Sequence, residues 1–345
     1  MTDAQWDTLL AVVRGEAVEP LPVGFIVDSP WLPGWAGMSM LDYFASERRW
    51  LEANLAAADA FPDVLLLPGF WSEFGMCTEP SAFGAKCVWG EDEFPFPARL
   101  PLELADAAAL EKPDPRTDGL LPLVLKRLAH AQPRLAEAGH AVRFATCRGP
   151  LNVASFLVGH TEFLTGMMTE PEAVHALVST VTDFLAEWLE AQAEAFPTIG
   201  GVLVLDDLVG FLGEEQFRDF ALPSLERLLG AVDVSVRFLH NDAPGRVSAP
   251  YLAEAGVNLF NFSHEHGLAE MRELTGEAVA LMGNVPPRDV LAGGSPEDVR
   301  RAVREALDSL DHTRRLVLSC GGGMPPGVPT ANIRAFCEAA RERSS

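Results

Sequence analysis

The sequence predicts an α/β protein, a single (β/α)8 TIM barrel over residues 1–345 with a long insertion after its second strand. Three observations carry that prediction. Short β-rich runs alternate with long helical patterns from end to end, the runs number eight, and most of them are near-continuous apolar stretches, as strands covered on both faces require. A chain of 345 residues with 48% hydrophobic content can fill one large core, and no change of composition resembles an interdomain linker.

The eight expected strands are Pro22–Asp28, Asp63–Pro68, Ala141–Cys147, Gly201–Asp206, Val234–His240, Val257–Ser263, Ala278–Asn284 and Arg315–Cys320. Helical patterns fill the intervals at Met40–Ala60, Leu120–Ala138, Pro171–Phe196, Glu214–Leu229, Ala249–Ala255, Gly267–Thr275, Pro296–Leu310 and Thr330–Arg343. Val181, Phe184, Leu185 and Trp188 keep the three-and-four spacing of one helix face, and Ser295-Pro296-Glu297-Asp298 reads as an N-cap followed by a first-turn proline and acids. Residues 69–115, rich in Pro, Gly and aromatics, form the insertion. At that position it is expected to wall the barrel mouth, with Phe70, Trp71, Phe74 and Trp89 as its apolar lining.

A net charge of -23 excludes a nucleic-acid groove, which needs a basic stripe to release counterions. The first residues lack the regions of a secretory signal, and no stretch is apolar for long enough to span a bilayer, so a soluble cytoplasmic protein is expected. Five cysteines, an odd number without a CxxC pair, read as reduced thiols.

Active sites of such barrels sit at the C-terminal ends of the strands. Here those ends read Asp28, Cys147-Arg148, Asp206-Asp207, His240-Asn241-Asp242, Ser263-His264-Glu265-His266, Asn284 and Cys320 before Gly321-Gly322-Gly323. An imidazole, a carboxylate and a thiolate are good zinc ligands, so His240, Asp242 and Cys320 form the expected metal site, with Glu265 as a further ligand or acid/base group. Asp206 and Asp207 are expected catalytic carboxylates, of which one enters the cavity because adjacent strand residues face opposite ways. Arg148, His264, Asn284 and Trp71 are expected to touch substrate, and the glycine run to admit a phosphate or another close ligand. The structural alternative has Asp242 capping a helix, Cys320 as a small buried residue and His240 satisfied in the core.

In this order, Arg148-Gly149-Pro150-Leu151, Asp206-Asp207, His240-x-Asp242, Met282-Gly283-Asn284-Val285-Pro286 and Cys320-Gly321-Gly322-Gly323 resemble the uroporphyrinogen decarboxylase superfamily. The resemblance is closest to its corrinoid-dependent branch, which passes methyl groups between a methylcobamide and a thiol. It implies a barrel, a zinc ion that activates the acceptor thiol, methylcobalamin as co-substrate, a corrinoid protein as partner, and a two-fold dimer. The methyltransferases carry His-x-Cys and a distal Cys; His240 and Cys320 match, and Asp242 replaces the proximal cysteine. The decarboxylases use an N-terminal arginine segment and a motif tyrosine, where this chain has Asp28-Ser29-Pro30-Trp31 and Phe156. The leading expectation is therefore a cobalamin-linked methyltransferase. A metal-free decarboxylase or lyase acting on a small acid, and a corrinoid or tetrapyrrole binding module, are its alternatives.

Overall fold

The computed structural model describes residues 1–27 and 30–342, so Asp28 lies outside the described residues. Eight parallel strands form the barrel sheet: β1 (Val23–Ile26), β2 (Val64–Leu67), β5 (Phe144–Arg148), β6 (Gly201–Leu205), β7 (Val236–Asn241), β8 (Leu259–Phe262), β9 (Ala280–Val285) and β10 (Leu316–Cys320). Between β2 and β5 the insertion adds a short antiparallel ribbon, β3 (Cys87–Val88) with β4 (Phe96–Pro97). The sheet runs β2-β1-β10-β9-β8-β7-β6-β5 and curls so that β2 and β5 flank a seam. All eight expected barrel strands are present.

Alternation along the strands separates two cores. Residues such as Val202, Val204, Leu239, Leu281 and Leu318 face outward and pack on the helices. Ile26, Leu65, Leu67, Phe144, Leu203, Val236, Phe238, Leu259, Ala280, Met282 and Val317 point inward and fill the barrel in layers. The lower end is plugged by a helix the sequence reading did not assign, Asp3–Arg14. It starts on a Thr2/Gln5 capping box and inserts Trp6, Leu9, Val12 and Val13 among the inward residues. Trp6 meets Phe144 edge-on at 5.6 Å, and a Cβ on Gly200 would lie 2.8 Å from the Trp6 ring. At the seam, the backbone N and O of Met1 both bond to Ala141.

Two expected helices are broken for visible reasons. Met40–Ala60 splits at Ser46, whose hydroxyl accepts from the Arg49 N–H and starts a new helix. Glu214–Leu229 contains a π turn at Phe217–Ala221, just before Pro223, which has no N–H to give the regular ladder. The Ser295 cap forms as expected, as a capping box with Asp298.

The cysteine expectation is corrected in the insertion: Cys77 and Cys87 are joined in a disulfide, with Cα atoms 5.6 Å apart. The β3–β4 pairing folds the chain back and brings Cys87 onto the turn holding Cys77, a closure that spacing alone does not reveal. The apolar lining is also redistributed. Phe70, Trp71 and Phe74 are buried, Trp89 packs outside on Phe44, and Met76 and Phe94 face the mouth. Among the described residues, no helix is long and apolar enough to cross a membrane.

Candidate active site

The inward rows of the strands change character as they climb. Phe238 is followed by His240, Leu259 by Asn261 and Ser263, Met282 by Asn284, and Val317 by Ser319. The apolar layers therefore end in a polar floor, above which opens a cavity of about 570 Å³. Its lining includes Asp207, His240, Asp242, His264, Glu265, Arg288 and Asp289, with Met76, Phe94 and Met324 as apolar wall.

Three side chains converge on that floor. Asp207, His240 and Asp242 each offer one ligand atom, and the three atoms lie within 4.8 Å of one another. The His240 Nε2 is 3.6 Å from Asp242 Oδ2 and 3.9 Å from Asp207 Oδ1, and Asp207 Oδ1 also accepts from the Asp242 backbone N–H at 2.7 Å. Burial alone would push the His240 imidazole down, but the charges of Asp242 and Asp207 outweigh it and raise the group to about 10. Burial likewise pushes Asp207 up, while the imidazolium and the Gly323 N–H hold Asp242 below the usual carboxylate range against its own burial. Without an ion, the cluster keeps a proton on His240 between two acids. The same donors, one nitrogen and two carboxylate oxygens, suit a divalent cation.

Asp206 faces the other way. Fully buried, its carboxylate accepts from the Leu151 and Asn152 N–H groups at 2.9 and 3.1 Å, at the start of helix Pro150–Val158. Burial raises it to about 8. A Cβ on Gly149 would lie 2.2 Å from Asp206 Oδ2, which gives the Arg148-Gly149-Pro150 motif a steric reason.

Cys320 stands outside the cluster. Its thiol is buried beside the group, 3.5 Å from the Gly322 carbonyl, and is pushed up to about 12 by burial and by the Asp242 charge, while Asp207 completes the group of three. Arg148 is buried and engaged, with its guanidinium 2.7 Å from Glu73 and 3.5 Å from Glu79, and 5.8 Å over the Trp71 ring. It therefore ties the insertion to the barrel. Trp71 itself is buried, and its carbonyl accepts from Trp50 Nε1. His264 and Glu265 are exposed at the rim, and the Asn284 amide donates to the His266 carbonyl. The glycine run packs close to the site itself. A Cβ on Gly322 would lie 1.8 Å from Asp242 Oδ1, and one on Gly321 lies 2.5 Å from the His264 nitrogen. Asn261 and Arg288 were missed by sequence reasoning. Asn261, a lone amide on an inward row, could have been found by counting alternate positions from Leu259.

Residues 4–343 match the profile of the uroporphyrinogen decarboxylase (URO-D) family. The chain belongs to that family. Among URO-D relatives and neighbours it is similar to the methylated-thiol–coenzyme M methyltransferase of Methanosarcina mazei, 25% identical over 84% of this chain and 76% of that one. It is equally similar to the uroporphyrinogen decarboxylase of Thioalkalivibrio sulfidiphilus, 25% identical over 98% of both. Among solved structures, a methyltransferase from Methanosarcina mazei superimposes with a TM-score of 0.83 at 21% identity, covering 99% of both chains. A B12-independent methionine synthase from a Shewanella species follows at 0.58 and 14%, covering 94% of this chain and 98% of that one. The URO-D barrel is thereby shown, and both kinds of curated relative are enzymes.

Proposed function

We propose that this URO-D family member, acting as one barrel domain, is a methyltransferase that moves a methyl group between a corrinoid and a small thiol-like acceptor. In this reading a divalent ion, zinc by donor chemistry, is held by Asp207, His240 and Asp242. The observation that carries it is the convergence of one imidazole and two carboxylates at the cavity floor, with ligand atoms within 4.8 Å. The methyltransferase among its relatives supports the same direction.

When bound, the ion would supply Lewis acidity that lowers the acceptor's pKa. His240 would present Nε2, Asp207 and Asp242 would neutralise the charge, and Glu265 stands at the rim as a further ligand or base. Met76, Phe94 and Met324 would exclude water on the apolar side. A corrinoid protein would present its methyl group from above the rim. Oxygen ligands in place of thiolates make this centre harder and less electron-donating than a cysteine site.

The test is metal analysis of protein purified without chelator. About one equivalent of divalent metal per chain is expected, reduced by Asp207→Asn and by Asp242→Asn and retained in Cys320→Ser. Chelation should abolish methyl transfer from methylcobalamin to a thiol. Failure of wild-type protein to take up added zinc, cobalt or manganese refutes the reading.

One observation favours a second reading, a metal-free decarboxylase: His240, held as an acid at about 10, could protonate a carbon that has lost CO2. Against it, the arginines of the cavity lining are Arg148, engaged by Glu73 and Glu79, and Arg288, whose charge acts on Asp242. Chelator-insensitive release of CO2 from a small acid would establish it.

A further inference from the structure

We infer that Asn261 is a positioning residue that fixes His240 with Nε2 aimed at the cavity and the hydrogen on Nδ1. Asn261 lies on the inward row of β8 and is fully buried. Its Oδ1 is 2.7 Å from His240 Nδ1, and its Nδ2 donates to the Met282 carbonyl at 2.9 Å and the Cys320 carbonyl at 3.3 Å. His240 and Met282 are its register partners on the two adjacent strands, β7 and β9. One amide thus ties four consecutive strands together at the level of the site.

The orientation follows from chemistry. A carbonyl oxygen can only accept, so the end of the amide that meets two carbonyls must be its NH2 group. The end facing His240 is then the oxygen, also an acceptor, and Nδ1 must carry a hydrogen. The nitrogen left to accept, whether from a proton or a cation, is Nε2, the one that faces Asp207 and Asp242. A buried histidine without this partner could turn its ring over or place its lone pair on the wrong side. Ligating histidines ordinarily have such a partner on the other ring nitrogen, and losing it weakens metal binding about 10- to 100-fold.

The consequence for metal binding rests on the reading given under Proposed function; the hydrogen bond does not. Zinc affinity would be measured by competition with a chromophoric chelator in wild type, Asn261→Leu and Asn261→Asp, with thermal unfolding as a control on the fold. Asn261→Leu should bind zinc about 10- to 100-fold more weakly. Asn261→Asp retains an acceptor for Nδ1–H and, with its second oxygen protonated toward the Met282 and Cys320 carbonyls, should recover most of that loss, a separation that mere loss of packing would not produce. Zinc affinity in Asn261→Leu within twofold of wild type overturns the inference while leaving the metal centre standing. If wild type binds no metal, the metal reading fails on its own, and the positioning claim is decided by proton NMR of the metal-free protein. A slowly exchanging His240 Nδ1–H resonance, lost in Asn261→Leu and kept in Asn261→Asp, is expected. Its absence from wild type, or its persistence in Asn261→Leu, overturns the claim.

Discussion

Replacing Arg148 by Met tests the view that this residue anchors the mouth wall. The Arg148, Glu73 and Glu79 side chains are all 3% exposed, with contacts of 2.7 and 3.5 Å. At an effective dielectric of about 20, attraction at those distances is about 6 and about 5 kcal/mol. Most of it offsets the cost of taking three charges out of water, and removing one partner of such a buried set costs about 3–5 kcal/mol. Urea unfolding at neutral pH should show that loss in Arg148→Met. The triple variant Arg148→Met, Glu73→Gln, Glu79→Gln should recover most of it, because no unpaired charge then stays buried. The deficit of the single variant should also shrink in acid. Burial raises the Glu79 pKa above 4.5 and Arg148 opposes that rise. A raised folded-state pKa means stability that is present below 4.5 and lost as pH rises through the folded value. Without Arg148 the folded value climbs further, so the variant regains ground as pH falls. A single-variant loss under about 1 kcal/mol, or a triple variant no more stable than the single, would refute the anchoring role.

Other outcomes follow from the same geometry. Gly149→Ala would place a Cβ 2.2 Å from Asp206 Oδ2 and should cost about 1–3 kcal/mol by overpacking; an unchanged urea midpoint would show that the helix start can move freely. Asp206→Ala removes the acceptor for two helix N–H groups and should cost about 1–2 kcal/mol, read in the same way. Reducing Cys77–Cys87, which closes a loop with a sequence separation of 10, should destabilise the protein by about 3 kcal/mol and expose the insertion to limited proteolysis. Equal digestion with and without a dithiol reductant would count against that. In metal-free protein, Asp242→Asn should bring the His240 pKa down from about 10 toward its ordinary 6.5, followed by NMR.

The barrel was legible because strands buried on both faces leave short apolar runs that alternate with helical patterns, and all eight stand where those runs are. The Asp3–Arg14 plug was not, since its acids mask an apolar face that makes sense only beneath a closed sheet. At the site, residue type was easier to read than direction. His240 and Asp242 meet as expected, and of the adjacent pair Asp207 enters the cavity and Asp206 turns away. Cys320 matched a pattern by type, and its thiol lies buried beside the cluster where the Asp242 charge reaches it, but Asp207 supplies the third ligand atom of the group. Arg148 stands in the cavity lining, but its ion pairs with Glu73 and Glu79 were not legible, because those partners sit in the insertion, where periodicity is silent.

The insertion leaves the barrel from β2, the strand beside the seam, whereas His240, Asn261 and Asn284 stand on β7, β8 and β9 across the sheet. Residues can be added, lost or exchanged after β2 without breaking a backbone bond between the strands that carry the imidazole and its supports. The wall and the imidazole thus sit on different parts of the fold, joined at Arg148 of β5, whose partners Glu73 and Glu79 belong to the wall.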